Sequence, residues 1–236
     1  MKQVNLILQS KGGVGKSLFM WFIAQQHKAE KTVFIDLDES TQTSSARLGA
    51  VVGPERVRSF KILNEYKKLE REKIVGLFEG LATAKSDTFY IDFGAPESAE
   101  FLHLLTQDAP ADVLKEELAI LDMTLRIFVV IAGRDALNSS VNYYNDLSKA
   151  LLAQFPLTMV VNMGTFGGVE TAEKAIEKLT ELGYAPIKRF GDLGSGSPLK
   201  EIIDLIGQPD PDPATLGLMS KIMYRKKNEE IKDIIA

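Results

Sequence analysis

Short apolar runs alternate with longer amphipathic segments along most of the chain. Consecutive apolar residues predict buried strands, and apolar residues three or four positions apart predict helices. The predicted strands are 4–8, 32–37, 57–63, 88–93, 125–132, 156–163 and 185–190, and the predicted helices are 17–28, 69–81, 136–154 and 169–182. Because buried strands separated by helices form parallel sheets, the pattern predicts an α/β fold: a doubly wound, mostly parallel sheet with helices on both faces.

Three prolines at alternating positions interrupt this pattern near the end of the chain. We expect residues 1–207 to form the core, 208–213 a proline-rich linker that cannot be helical, and 214–236 a C-terminal helix packed on the core. The last segment carries four clustered basic residues, Lys221, Arg225, Lys226 and Lys227. They leave two other interpretations open, a DNA-binding patch and a membrane-surface helix, but the acidic residues Glu229, Glu230 and Asp233 that follow them favour packing.

Composition excludes several classes of protein. The 236 residues carry 28 basic and 32 acidic side chains, so the net charge of −4 argues against a broadly basic surface. Cysteine is absent, which excludes disulfides, zinc–thiolate sites and iron–sulfur clusters. With only two histidines, His27 and His103, we expect neither a histidine metal site nor a Ser-His-Asp triad. Neither a membrane span nor signal-peptide features are found, so the expected location is the cytoplasm.

A glycine-rich loop, residues 10–17, lies between the first predicted strand and the first predicted helix. Glycines allow successive backbone N–H groups to point at phosphate oxygens, and the helix start adds its positive dipole end. The sequence therefore predicts a nucleotide site in which Lys16 reaches the β- and γ-phosphates and Ser17 ligates Mg²⁺. A functionless turn is the alternative, which the strand–loop–helix context disfavours. The predicted nucleotide-binding positions here are Gly12, Gly13, Val14, Gly15, Lys16, Ser17 and Leu18.

Lys11 stands immediately before the first glycine of this loop. The run Lys-Gly-Gly-Val-Gly-Lys-Ser resembles the deviant Walker A loop of the ParA/MinD superfamily of dimerising P-loop ATPases. The resemblance implies that Lys11 reaches the partner subunit's nucleotide when two subunits enclose ATP; a solvated surface lysine is the alternative. The sequence departs from the family at Leu18, where a second hydroxyl is usual, so we expect weakened but not abolished nucleotide binding.

Acidic residues follow two of the predicted strands. Asp36 and Asp38 lie on one side of their strand by alternation and resemble the family's Asp-x-Asp motif. The resemblance implies that Asp38 positions the attacking water, which makes Lys11, Lys16 and Asp38 the catalytic set; helix capping is the alternative for Asp38. Asp92 resembles the Walker B aspartate, so Ser17, Asp36 and Asp92 form the implied metal set.

Asn162 ends another apolar strand, within Val-Val-Asn-Met. This segment resembles the family's adenine-recognition strand, and an asparagine amide can donate to and accept from an adenine edge at once. An asparagine that caps a turn is the alternative.

The absence of cysteine also narrows the choice within the superfamily, because its nitrogenase-reductase-like and iron–sulfur-carrier members need cysteine ligands. The run 5–17 and the segment Ile-Asp-Phe-Gly-Ala at 91–95 resemble the TraL/StbB-like proteins of conjugative plasmids. This resemblance implies a protein of plasmid partition, plasmid stability or conjugative transfer.

A switch ATPase is the function implied. ATP with Mg²⁺ would close a homodimer that engages DNA directly, a DNA-bound protein or the transfer machinery, and slow, partner-stimulated hydrolysis to ADP would reset it. Contact with a membrane is not expected. Two alternatives stay open: an ATP-dependent small-molecule ligase of the same fold, and a nucleotide-binding scaffold with negligible hydrolysis. The acidic, helical segment 109–122 is interpreted either as a partner surface or as a lid.

Overall fold

Parallel strands form the centre of the structure, a computed structural model that describes residues 1–37 and 42–236. The strands are β1 (Lys2–Leu8), β2 (Val33–Asp36), β3 (Val57–Ser59), β4 (Thr88–Asp92), β5 (Met123–Ile131), β6 (Leu157–Asn162) and β7 (Ile187–Phe190). They pair in the order β3-β2-β4-β1-β5-β6-β7, and every neighbouring pair is parallel. The predicted doubly wound parallel sheet is confirmed.

Helices cover both faces of this sheet. They are α1 (Lys16–Gln26), α2 (Gln42–Val52), α3 (Arg71–Thr83), α4 (Ala95–Gln107), α5 (Ala111–Ile120), α6 (Leu137–Leu151), α7 (Val169–Glu181), α8 (Gly196–Ile206) and α9 (Leu218–Ile235). Successive strand residues alternate between the faces, so Leu6 of β1 joins one hydrophobic cluster and Ile7 joins the other. Helices α3 to α7 supply the first cluster, and α1, α2, α8 and α9 supply the second.

Some predicted elements differ in extent from those observed. The strand predicted at 57–63 pairs only over Val57–Ser59, because its sole partner β2 has four residues. The helix predicted at 136–154 ends at Leu151, since Leu152 and Ala153 adopt left-handed backbone angles with φ of 48° and 57°. The sequence pattern predicts no range for α2, α4 and α8, which the structure shows as helices.

Helix α9 contacts α1 and α8 on the second face. Its side chains Tyr224, Ile231 and Ile234 are buried in the second cluster. Arg126 of β5 donates to the last carbonyls of the helix, at 3.0 Å to Ile234 O, where a positive charge meets the negative end of the helix dipole. Among the described residues, none of the helices combines the length and apolar character that a membrane crossing requires.

Candidate functional site

The glycine-rich loop connects the carboxyl end of β1 to the start of α1. Gly13 and Gly15 have φ of +73° and +101°, values that side-chain-bearing residues rarely adopt. A Cβ atom on Gly15 would also overlap the side-chain nitrogen of Asn162. Both the backbone turn and the close approach of β6 therefore require glycine at this position.

Lys16 is the first residue of α1, and only 8% of it is exposed. Its Nζ donates a hydrogen bond of 3.2 Å to the carbonyl oxygen of Gln9, the first residue after β1. The lysine thus reaches back across the loop from helix to strand. A buried ammonium group beside the backbone N–H groups of a helix start is suited to a phosphate.

Ser17 and Asp92 are brought together although 75 positions separate them. The hydroxyl of Ser17 donates to Oδ2 of Asp92 at 3.0 Å, and Asp92 is 1% exposed. Hydroxyl and carboxylate oxygens are the donors that Mg²⁺ prefers, and it usually takes only one or two protein ligands alongside phosphates and waters. The pair therefore fits the magnesium role predicted for both residues.

Asp36 ends the neighbouring strand, in register with Asp92. Its Oδ2 accepts a hydrogen bond of 2.7 Å from the hydroxyl of Ser45 in α2, and Ser45 Oγ lies 2.9 Å from Ser59 Oγ. This hydrogen bond joins Asp36 to α2. Asp38, the predicted water-positioning residue, lies outside the described residues.

Asn162 lies behind the glycine-rich loop, and its side chain is 4% exposed. Its Nδ2 donates to the carbonyl of Val14 at 2.7 Å, which ties the end of β6 to the loop. Its Oδ1 is buried and accepts no hydrogen bond from the described residues. Adenine recognition by Asn162 stays a prediction, for which Oδ1 and the second hydrogen of Nδ2 are the available groups.

Lys11 and Leu18 flank the loop in opposite environments. The side chain of Lys11 is exposed, and its ammonium group makes no ion pair with the described residues. Leu18 instead packs against the second hydrophobic cluster and lines a cavity of about 210 Å³ between α1, α2 and α8. Position 18 therefore contributes apolar packing to this part of the fold.

Gln9 is a site residue to which the sequence analysis gave no role. Its fully buried side chain donates to the carbonyls of Val130 and Ser140 at 3.0 and 3.3 Å and accepts from the backbone N–H of Lys11 at 3.3 Å. Its own backbone N–H donates to Ser98 Oγ at 3.1 Å. Gln9 therefore anchors the first turn of the loop to β5, α6 and α4. A glutamine directly after an apolar strand is the sequence signal that marks it.

A buried tyrosine in α6 makes a hydrogen bond to Ser98, the residue whose hydroxyl accepts from the backbone of Gln9. The hydroxyl of Tyr143 in α6 donates to the carbonyl of Ser98 at 2.8 Å. Burial raises the pKa of Tyr143 well above its usual range, so the hydroxyl stays a donor throughout the physiological pH range.

The chain is similar to known proteins both in sequence and in fold. It is 26% identical to the protein TraL of Escherichia coli over 181 residues, which are 76% of this chain and 70% of that protein. A crystal structure of a protein described as a plasmid partition protein of Borrelia burgdorferi B31, bound to AMPPNP, matches 100% of this chain and 98% of its own, with a TM-score of 0.54 and 15% identity. A second plasmid partition protein of that species matches 99% and 97% of the two chains, with a TM-score of 0.48 and 16% identity.

No family model matches the chain. The resemblance to TraL-like proteins predicted from the loop and strand motifs is confirmed by the similarity over most of the chain. The likeness to the AMPPNP-bound structure shows a shared fold.

Proposed function

We propose that this protein binds ATP with Mg²⁺, dimerises around it and hydrolyses it slowly, as a switch in plasmid partition, plasmid stability or conjugative transfer. The observation that carries the proposal is the Ser17–Asp92 hydrogen bond beside a glycine-rich loop that holds a buried Lys16. The similarity to TraL, and the shared fold with a partition protein that binds AMPPNP, support the same function.

Phosphate binding is assigned to the loop and to Lys16. The backbone N–H groups at the start of α1 have no helical acceptor of their own and are available to phosphate oxygens. Lys16 Nζ now contacts a neutral carbonyl at 3.2 Å. A phosphate oxygen is the stronger acceptor for an ammonium group, because charge-assisted hydrogen bonds are about twice as strong as neutral ones.

Magnesium binding is assigned to Ser17 and Asp92. The bound ion would neutralise charge on the phosphates and fix their orientation. Asp36 belongs to the metal set that the family motif implies, and its position in register with Asp92 supports that role. Since its carboxylate accepts from Ser45, we propose that Asp36 anchors α2 beside the site.

Dimerisation is assigned to Lys11 and hydrolysis to Asp38. By the family resemblance, Lys11 reaches the phosphates of a second molecule, and its exposed side chain is compatible with that role. By the family resemblance, Asp38 positions the water that attacks the γ-phosphate. Phosphoryl transfer needs little beyond such positioning and charge stabilisation.

The test is ATP binding and phosphate release by the full chain and by Lys16→Ala. We expect the substitution to weaken ATP binding at least about tenfold, equivalent to about 1.4 kcal/mol, and to abolish turnover. Lys178→Ala, which removes an exposed lysine of α7, is the matched control and should leave both unchanged. Wild-type binding and turnover in Lys16→Ala would contradict the proposal.

A nucleotide-binding scaffold is the second candidate, and Leu18 favours it. Its side chain is turned into the hydrophobic cluster, so the site lacks one hydroxyl for phosphate. ATP binding without phosphate release, in the presence as well as the absence of plasmid DNA, would favour this candidate over the switch.

A further inference from the structure

A groove of about 740 Å³ lies at the β3 edge of the sheet, between the strands and α3. Its floor is apolar and is formed by Val33, Ile35, Leu77, Leu81 and Phe89, which all belong to the first cluster or pack against it. The glycine-rich loop, by contrast, leads into α1, which supplies the second cluster on the opposite face. The groove therefore lies on the opposite face from α1, and its lining residue Ser59 connects through Ser45 to Asp36 of the candidate site.

Two glycines on α3 keep this groove open. Gly76 and Gly80 line it one helical turn apart, and a Cβ atom on either would meet nothing within 4 Å. Neither glycine has a positive φ, so the fold itself does not require them. Each costs about 1 kcal/mol in helix propensity relative to alanine. The two glycines therefore lower the stability of α3, and they leave the groove without side chains at these two positions.

The rim of the groove is strongly basic. Four cationic side chains and one acidic side chain line it: Lys31, Arg56, Arg58, Lys85 and Glu55. This local excess of positive charge contrasts with the net charge of −4 of the whole chain. Lys31, Arg58 and Lys85 are exposed and make no ion pair with the described residues. An apolar floor with unneutralised cations around it is complementary to a ligand that is both apolar and acidic.

The edge strand itself offers little to an added strand. β3 has three residues, and Arg58 Nη1 donates to the carbonyl of Val57 at 2.9 Å. Short edge strands that carry a positive charge discourage strand addition. An occupant would therefore bind through its side chains, along α3. The helix from Gly76 to Thr83 is about 10 Å long at 1.5 Å per residue, which matches about three residues of extended peptide at 3.3 Å each.

We propose that this groove binds a short acidic segment of a partner protein. Its apolar side chains would lie over Gly76 and Gly80 against the floor, and its carboxylates would meet Arg58 and Lys85. The binding site is independent of the nucleotide function proposed above, and its test needs no nucleotide.

A random-peptide display library selected on the full-length, nucleotide-free protein tests this assignment. Recovered peptides should combine acidic and apolar residues. They should bind Gly80→Phe, which fills the groove, and Lys85→Glu, which reverses one rim charge, at least about tenfold more weakly than wild type. Because the space at Gly80 is empty, Gly80→Phe should fold normally, which its thermal unfolding checks.

Matched controls use the same new side chains outside the groove. Glu79→Phe places a phenylalanine on the neighbouring exposed position of α3, and Lys178→Glu reverses a charge on α7; both should bind the peptides like wild type. Recovery of no groove-dependent peptide, or of basic peptides, would overturn the proposal. So would self-association of the wild-type chain that Gly80→Phe abolishes, since the occupant would then be a second copy.

Discussion

The hydroxyl of Ser17 donates a 3.0 Å hydrogen bond to Oδ2 of Asp92 and so joins the start of α1 to the end of β4. Strand β4 lies directly beside β1, from which the glycine-rich loop emerges. The two oxygens therefore lie at the carboxyl ends of adjacent parallel strands, at the point where the strand order reverses direction. Ligands bind at this point in doubly wound folds.

Removal of the Ser17 hydroxyl should weaken the magnesium-dependent part of ATP binding. For Ser17→Ala we expect at least about tenfold weaker binding of ATP with Mg²⁺ and little change for ATP with a chelator. Trp21, the only tryptophan of the sequence, lies one helical turn away, so its fluorescence can report binding. Ser139→Ala on α6 is the control. Equal losses with and without Mg²⁺ would show that Ser17 does not act through the metal.

Replacement of Gln9 should destabilise the loop and the fold together. Gln9→Met keeps the approximate volume but removes the donor to the carbonyls of Val130 and Ser140. Each side-chain hydrogen bond lost in this way costs about 0.5–1.5 kcal/mol. Urea unfolding measures this loss, with the exposed Gln107→Met as control. Unfolding free energies equal to wild type would mean that these hydrogen bonds do not anchor the loop.

A hydroxyl restored at position 18 should strengthen nucleotide binding. Leu18→Thr provides the group that the family loop usually has, and we expect several-fold tighter ATP binding. The same change removes apolar atoms from the edge of the second cluster, so unfolding should become easier by roughly 1 kcal/mol. Isothermal titration and thermal unfolding measure the two effects. Unchanged or weaker ATP affinity would show that position 18 does not contact the phosphates.

The ion pair between Glu173 and Arg189 should make a small pH-dependent contribution to stability. Arg189 holds the pKa of Glu173 below its usual range through hydrogen bonds of 2.9 to 3.1 Å. Because the folded-state pKa is lowered, the stabilisation is full above the unfolded pKa of about 4.3 and is lost as pH falls through the folded value. Glu173→Gln should cost roughly 0.5 kcal/mol at neutral pH, since the pair is partly exposed.

Unfolding of both proteins by urea between neutral and acidic pH measures that contribution. The difference between wild type and Glu173→Gln should shrink below pH about 4.3. Glu177→Gln, on the same helix, should match wild type throughout. A difference that stays constant into acid would exclude the ion pair as its cause.

The sequence predicted the parts of the fold that depend on local pattern. Alternating apolar strands and helices gave the parallel sheet, and the glycine run after β1 gave the position of the loop. Helix α8 was not predicted from the sequence, because Gly196 and Pro198 at its start are typical of loops. The short extent of β3 was not predicted either, because it is set by the number of residues that β2 offers as partners.

Within the candidate site, residue types were predictable but several contacts were not. The Ser17 and Asp92 roles followed from motif spacing, and the structure brings the two together. The bonds from Ser45 to Asp36 and from Asn162 to Val14 join residues on different elements, and no local pattern specifies them. The anchoring by Gln9 likewise depends on the packing of α4 and α6 against the loop.

In the proposed switch, ATP closes a dimer through Lys11. Light scattering after gel filtration, with ADP and with ATP in the presence of Mg²⁺, tests it most directly on wild type, Asp38→Ala and Lys11→Ala. We expect the 26.1 kDa monomer with ADP, twice that mass with ATP, a dimer that persists in Asp38→Ala, and a monomer in Lys11→Ala with either nucleotide. A wild-type monomer in both nucleotides, or an ATP-dependent dimer that survives Lys11→Ala, would contradict the account.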